Sequence, residues 1–174
     1  MIFSILVKNG QLQLIFEEKT KGIVFNLNAF HGKLIVCISN RIVLYTLMES
    51  IDGSTLLMKN CIHRGQMHAL QVQTCGEIIL VSDSERSIYL LKYKNDKGFE
   101  EIAYDDSEKR MTSAIQTLDI DLYLGAYTNF NLFTLRENNE EGVELDVEGE
   151  YHVGEFFNRF RHGSLAINVL STKS

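Results

Sequence analysis

The sequence predicts an all-β fold, a partial β-propeller. Two apolar runs rich in β-forming residues, Ile78–Val81 and Ile88–Leu91, flank a polar joint at Ser82–Ser87, which is the pattern of a β-hairpin. Corresponding turn positions recur 44 and 45 residues apart, at Gly32, Gly76 and Asp121. This period is typical of four-stranded propeller blades, and the strand-forming composition excludes helical solenoids of similar period.

The first predicted element is a hairpin of two strands, Phe3–Val7 and Leu12–Phe16. The Asn9-Gly10 pair between them supplies the positive φ angles that a type I′ turn requires. Residues 1–21 therefore form half a blade ahead of the first complete unit.

Three units follow, at about 22–65, 66–110 and 111–150. The predicted strands of the first unit are Ile23–Phe30, Leu34–Ile38, Ile42–Leu47 and Thr55–Met58, with a polar connection at Met48–Ser54. Those of the second are Met67–Gln73, the two arms of the Ile78–Lys94 hairpin, and Phe99–Ala103. Those of the third are Thr112–Leu118, Leu122–Tyr127 and Asn131–Leu135. Each assignment rests on short β-rich runs bounded by turn residues.

An acidic run, Glu137–Glu150, completes the third unit. Its first part, Asn138–Gly142, is predicted to be a flexible loop, and the alternation of Val143, Leu145 and Val147 with acidic residues predicts a strand that buries one face. Residues 151–174 are expected to begin a further half-blade, so that the whole chain forms one domain.

Three units and two half-blades are fewer than the four to eight blades of a typical closed ring. We therefore expect exposed sheet edges at both ends of the row. Two explanations are open: the chain is an excerpt of a larger propeller, which the abrupt start on a strand favours, or the ring closes by pairing with another chain.

The composition and charge of the chain limit the classes of function that it can have. The chain is 45% apolar and 23% charged with a formal net charge of −6, which is ordinary for a globular protein and opposes a surface wholly committed to nucleic acid or to an anionic membrane. Three cysteines give no disulfide framework, which indicates free thiols and a reducing compartment. The apolar run at the start is too short to span a membrane and lacks the features of a signal peptide. Partners should mostly be proteins.

Several segments together resemble a known family. They are Gly98–Ala103, Gly125-Ala126 with Asn129–Phe133, Gly154–Asn158, His162–Leu165, Lys21-Gly22 and Gly32–Leu34. In order and spacing they are similar to the third propeller of the damaged-DNA-binding large-subunit family, which also includes large subunits of pre-mRNA cleavage and splicing complexes. The similarity covers nearly all of the chain.

The resemblance implies a three-propeller scaffold that is not an enzyme and needs no cofactor. It implies an adaptor of cullin-4 RING ubiquitin ligases in DNA repair, found in the nucleus and cytoplasm. Its first and third propellers would receive a helical motif from substrate receptors, while the cullin would contact the second propeller and reach this chain only indirectly. The alternative within the same superfamily is an RNA-processing scaffold.

The resemblance also implies which residues face the receptor. Arg86, in the central joint, would face the cleft, and an arginine fork suits helix carbonyls or carboxylates; the alternative is a solvated turn residue. Ala69 and Leu70 match the same family surface, although Leu70 is equally suited to a core.

Phe156, Asn158 and Phe160 stand at alternate positions, so an extended segment would place them on one face and Phe157 on the other. Positions matching Phe156 and Asn158 line the receptor pocket in the family, and aromatic anchors with an orienting amide suit a groove that binds a helix. The alternative is that the aromatic residues belong to the core of a blade.

Arg159 and Arg161 alternate with these aromatic residues and could instead contact a single-stranded nucleic acid, with the aromatic rings stacking on bases; a solvated basic edge is the simpler interpretation. Five polar residues stand where the family pattern is mostly apolar or aromatic: His68, Gln71, Ser84, Arg110 and Arg159. They predict a more polar groove.

Other chemistry has little support. Cys61, His63, His68 and Cys75 are not spaced as in a common zinc site. The sequence contains no nucleophile-elbow or phosphate-loop motif, and the acidic run lacks the alternating ligands of an EF-hand. We therefore expect neither a metal site nor catalysis.

Overall fold

The computed structural model describes residues 1–8, 10–51, 55–65, 67–95, 97–105, 110–138 and 144–163. Within these ranges the chain forms fourteen strands, β1 to β14, and no helix. The strands make a two-stranded hairpin and three four-stranded antiparallel sheets. The prediction of an all-β, partial propeller is confirmed, and the described part of the chain contains no helix suited to crossing a membrane.

Each sheet is a meander of consecutive strands. The hairpin consists of β1 (Ile2–Lys8) and β2 (Gln11–Glu18). The first sheet contains β3 (Val24–Phe30), β4 (Lys33–Ile38), β5 (Arg41–Glu49) and β6 (Thr55–Arg64). The second contains β7 (Ala69–Cys75), β8 (Ile78–Asp83), β9 (Ser87–Lys94) and β10 (Gly98–Tyr104). The third contains β11 (Thr112–Thr117), β12 (Leu122–Tyr127), β13 (Asn131–Glu137) and β14 (Leu145–His152).

Two features of the first sheet differ from the prediction. The predicted polar connection, Met48–Ser54, begins too early, because Met48 and Glu49 belong to β5. The predicted fourth strand ends too early, because β6 continues beyond Met58 to Arg64. The reason is the ladder between the two strands, which pairs Glu49 with Thr55 at one end and Arg41 with Arg64 at the other. Each of these strands extends as far as the other offers backbone hydrogen-bond partners, whereas the sequence shows only where the apolar run stops.

The ends of the chain also differ in detail. Tyr151 and His152 belong to β14, and residues 153–163 form no strand; residues 164–174, like Asn9, 139–142 and Val143, lie outside the described residues. Leu145 is buried as predicted, but Val147 is 43% exposed. A register shift between Thr134 and Leu135, where β13 pairs with β14, interrupts the expected alternation of faces. The division into units and half-blades stays a prediction.

The core consists of layers between neighbouring sheets. Ile35 and Leu44 of the first sheet pack against Ile79 and Leu91 of the second. The opposite face of the second sheet, with Leu80 and Leu90, packs against the third sheet. Because the second sheet buries both faces, its strands are nearly continuous apolar runs, and this is why the central hairpin is so prominent in the sequence.

Apolar side chains remain uncovered at both ends of the row of sheets. Phe3 and Ile5 of the hairpin are 52% and 56% exposed. On the third sheet, Leu124, Leu132 and Tyr151 line a shallow cavity of about 340 Å³. These are faces of the kind that a neighbouring blade covers in a propeller.

Candidate partner-binding surface

The innermost strands of the three sheets lie side by side, β3 next to β7 and β7 next to β11. Each has one edge without a strand partner in its own sheet, so its backbone groups need other hydrogen bonds. Side-chain amides supply them. Asn28 Nδ2 donates to the carbonyl of Val72 (3.4 Å), Gln71 Nε2 to that of Ser113 (2.6 Å), and Gln73 Nε2 to that of Ile115 (2.8 Å).

The C-terminal segment, residues 153–163, lies across these inner strands. The carbonyl of Asn158 is 3.5 Å from Gln71 Nε2, and Gln116 Nε2 is 3.0 Å from His162 Nε2. Gln71 thus holds both the next blade and the C-terminal segment. This arrangement places residues distant in sequence on one surface.

A polar cavity of about 280 Å³ lies between β3, β7 and the C-terminal segment. Its walls are Asn26, Leu27, Asn28, Gln71, Val72, Gln73, Asn158 and Arg159. The sequence analysis selected Asn158, Arg159 and Gln71 but missed Asn26, Asn28 and Gln73. A sequence pattern could have indicated these residues: Asn-x-Asn and Gln-x-Gln each place two amide side chains at alternate positions of one inner strand.

The alternation of residues predicted that Phe156, Asn158 and Phe160 share one face of an extended segment. The structure differs from this arrangement. Phe156 is 56% exposed, whereas the half-buried Phe160 stacks on Phe157 with 5.9 Å between ring centroids. The prediction that Phe157 and Phe160 lie on opposite faces is therefore wrong. The segment pairs with no strand along residues 153–163, so no sheet enforces a period of two.

Arg159 and Arg161 are both exposed. Within the described residues, neither guanidinium forms an ion pair or a hydrogen bond. Their charge is therefore available to an external group.

Ala69 and Leu70 occupy different environments. Ala69 is fully buried in the core between the first and second sheets, so it can influence a partner only through packing. Leu70 is half-buried and lies next to Gln71, which contacts the C-terminal segment.

Arg86 is held by its own sheet. Its guanidinium is 2.8 Å from the Glu101 carboxylate and lies over the Tyr104 ring, 4.2 Å from the centroid. His63 of the first sheet approaches the same carboxylate at 3.8 Å. No hydrogen bond, ion pair or ring contact between described residues joins Arg86 to the C-terminal segment.

His63 makes this cluster sensitive to pH. Burial lowers the pKa of His63, and nearby Arg86 lowers it further, while Glu101 opposes the shift. The unfolded chain, with a histidine pKa of about 6.5, therefore binds more protons than the folded chain just below that pH. Stability should rise with pH through this window and fall when the protein is acidified.

We expect His63→Gln to reduce the loss of melting temperature between about pH 7.5 and about pH 5.5. Thermal unfolding followed by circular dichroism at the two pH values measures it. His31→Gln, whose side chain in the parent is 53% exposed and lies outside this cluster, is the control for removing one histidine, and its loss of melting temperature should exceed that of His63→Gln. An unchanged pH dependence in His63→Gln would contradict the assignment.

Comparison with known proteins assigns the chain to a family. Residues 1–173 match the family described as the CPSF A subunit region. The chain belongs to this family. DNA damage-binding protein 1a of Arabidopsis thaliana is 47% identical over 173 residues, and DNA damage-binding protein 1 of Solanum lycopersicum is 48% identical over 174. Each alignment covers 97% of this chain but only 16% of the relative.

The family match and the identity to DNA damage-binding protein 1 sequences confirm the resemblance that the sequence segments indicated. The chain spans about one sixth of the length of these relatives.

Four of the five polar residues predicted to make the groove more polar have local contacts or line the cavity. The His68 ring packs on Phe25 with 5.5 Å between centroids. Arg110 pairs with Glu150 at 2.8 Å and lies over Tyr127. Gln71 and Arg159 line the polar cavity. Among the described residues the buried Ser84 hydroxyl has no hydrogen-bond partner, and nothing in the structure explains it.

The three cysteines form no disulfide, and the described residues form no cluster of metal ligands. Cys37, Cys61 and Cys75 are free thiols, and burial raises the pKa of Cys37 to about 12. In the part of the chain that the structure describes, no three histidine, cysteine or acidic residues cluster as metal ligands do.

Proposed function

We propose that this chain is a docking surface of a non-catalytic scaffold, corresponding to part of the third propeller of a cullin-4 RING ubiquitin ligase adaptor. The observation that carries the proposal is the C-terminal segment. It fixes Asn158 against Gln71, next to Leu70, and leaves Phe156 exposed.

The chemistry of this surface suits a helical motif from a substrate receptor. Phe156 offers an exposed aromatic anchor, and the Asn158 side chain makes no hydrogen bond within the described residues. A free amide can orient a helix by pairing with its unsatisfied backbone groups. Phe160 stacks on Phe157 within the same segment.

We infer the remainder of the assembly from the resemblance to the family. The uncovered apolar faces of the hairpin and the third sheet suit further blades of the same ring. In the full scaffold, other propellers would complete the receptor cleft and contact the cullin, so the cullin would reach this chain indirectly. The relatives are named for binding damaged DNA, and we propose a corresponding role in DNA repair and protein ubiquitination, in the nucleus and cytoplasm.

A pull-down from nuclear extract, with bound proteins identified by mass spectrometry, tests the docking surface. Phe156→Ala should weaken capture of substrate receptors by roughly 30-fold, since truncating a hot-spot aromatic costs about 2 kcal/mol. Phe130→Ala is the matched control, because Phe130 is also exposed (42%) but lies in the β12–β13 turn. Equal capture by the two variants would contradict the proposal.

Arg86 needs a different design because it already pairs with Glu101. Arg86→Glu alone would place two carboxylates together, so a loss of binding could reflect local disruption. Arg86→Glu combined with Glu101→Arg restores the ion pair with its polarity reversed. If Arg86 itself contacts the receptor, capture stays lost in the double variant; if the pair is only structural, capture returns.

The RNA-processing scaffold is a second candidate, favoured by the guanidiniums of Arg159 and Arg161, which are exposed and form no ion pair with another described residue. Binding of single-stranded RNA would weaken steeply with salt, and removal of both arginines would reduce the slope of log affinity against log salt by about 1.4. Receptor docking predicts no such dependence. Single-stranded RNA binding by the parent chain and by the double alanine variant separates the two functions.

A further inference from the structure

A second pocket, remote from the C-terminal segment, lies between the β1–β2 hairpin and the first sheet. Its volume is about 230 Å³, and since liquid water occupies about 30 Å³ per molecule it has room for a ligand several times that size. The walls come from the end of β2, the connection after it, and strands β4, β5 and β6. They are Glu18, Lys19, Thr20, Lys21, Ile38, Arg41, Val43, Tyr45, Leu57, Lys59 and Ile62.

The pocket is strongly basic in an acidic chain. Lys19, Lys21, Arg41 and Lys59 are opposed only by Glu18, which leaves a formal charge of +3 on the wall, whereas the whole chain carries −6. Within the described residues, the ammonium groups of Lys19, Lys21 and Lys59 have no ion-pair partner. Like charges gathered without partners repel one another, and a bound anion would remove this cost.

The floor of the pocket is ordered. Arg41 Nη2 donates to the carbonyl of Lys21 at 2.8 Å, which fixes the connection against the first sheet. Tyr45 is 8% exposed; burial and nearby Glu18 raise the pKa of its hydroxyl, while Arg41 lowers it. Val43, Leu57 and Ile62 form the apolar part of the wall. A tyrosine hydroxyl and a guanidinium can both donate hydrogen bonds to an anionic oxygen.

We propose that this pocket binds a small anion that carries two or more phosphate groups. Several ammonium groups on separate elements match several charged phosphates better than they match a single carboxylate, and Arg41 is suited to phosphate geometry. Because the cations come from both the connection after β2 and the first sheet, the ligand holds the hairpin on the sheet.

Isothermal titration calorimetry of the chain at about 0.15 M salt tests the site, with tripolyphosphate and inorganic phosphate as the probes. We expect tripolyphosphate to bind at least about tenfold more tightly than inorganic phosphate. Lys19→Gln combined with Lys59→Gln should weaken tripolyphosphate binding by at least about tenfold, since each removes a charge-assisted contact. Failure of tripolyphosphate to bind, or equal affinity for the two probes, overturns the proposal.

Lys92→Gln combined with Lys97→Gln is the matched control, because it removes the same charge from an exposed position of β9 and from the exposed β9–β10 turn. It should leave the affinity within about twofold of the parent, as screened, distant charges contribute little. Equal weakening in both double variants would show attraction to overall charge only. Hydrogen exchange gives a second measurement: tripolyphosphate should slow exchange in β1 and β2 of the parent, and unchanged exchange contradicts the bridging role.

Discussion

Gly125→Ala is expected to lower the free energy of unfolding by about 3 kcal/mol, the upper part of the range for overpacked cores. Gly125 lies in β12, directly opposite Phe133 of β13. A Cβ at Gly125 would overlap the Phe133 ring, 2.7 Å from Cε2 and closer still to Cζ. The ring is buried and stacks on Tyr127 with 3.9 Å between centroids, so it has little room to move.

Gly149→Ala is the matched control in the same sheet. Its added Cβ would meet Thr134 Oγ1 at 3.5 Å, an ordinary contact, and loss of glycine's freedom in the unfolded chain should leave stability unchanged or raise it by up to about 1 kcal/mol. Urea unfolding of the two variants and the parent gives the comparison. Similar stabilities for the two variants would contradict the packing argument. Phe133→Leu in the Gly125→Ala background should recover part of the loss, because it shortens the side chain that clashes.

The fold could be predicted to a large extent because blades repeat. The runs Ile78–Val81 and Leu122–Tyr127 fall inside observed strands, since buried strands need β-branched and aromatic residues that stand out from polar turns. Glycine at position 76 marks a turn with φ of 56°, which few other residues adopt at low cost.

The surface could be predicted only in part. The resemblance pointed to Asn158, but its contact with Gln71 joins residues 87 positions apart, and no local pattern specifies such a pair. The stacking of Phe157 on Phe160 was missed because period-two reasoning assumes a paired strand. The resemblance assigned Arg86 to the receptor cleft, but it did not indicate the contacts of Arg86 with Glu101 and Tyr104, which lie on another strand of the blade.

In the central joint, residues that are polar in the sequence are buried in the structure. Ser82–Ser87 was predicted to be a polar connection, yet Ser82, Asp83 and Ser87 are fully buried and belong to strands β8 and β9. Their polar groups are used inside the protein. Ser82 Oγ accepts from the backbone of Gln71 at 3.1 Å, and the Ser87 and Thr112 hydroxyls pair at 3.2 Å. A buried polar group with a partner looks, in sequence, like a solvated one.

Asp83→Ala should cost about 2–3 kcal/mol of stability and loosen the joint that carries Arg86. Asp83 Oδ1 accepts from the backbone N–H of Glu85 at 3.0 Å, and Oδ2 accepts from that of Met67 at 3.4 Å. One carboxylate therefore fixes both the joint and the chain entering β7. Hydrogen bonds to a charged group are each worth about 1.5–3 kcal/mol, and the released desolvation of the carboxylate offsets part of their loss.

Ser84→Ala is the control at the neighbouring position. The Ser84 hydroxyl is buried and has no hydrogen-bond partner in the part of the chain that the structure describes, so its removal should be neutral or stabilise the protein by up to about 1 kcal/mol. Urea unfolding measures both variants, and hydrogen exchange at Glu85 and Arg86 should accelerate only in Asp83→Ala. If Ser84→Ala were as destabilised as Asp83→Ala, the joint would depend on packing and not on the carboxylate. The opposite results expected at adjacent polar positions follow from hydrogen bonding, because Asp83 and Ser84 differ in whether their buried oxygen atoms have partners.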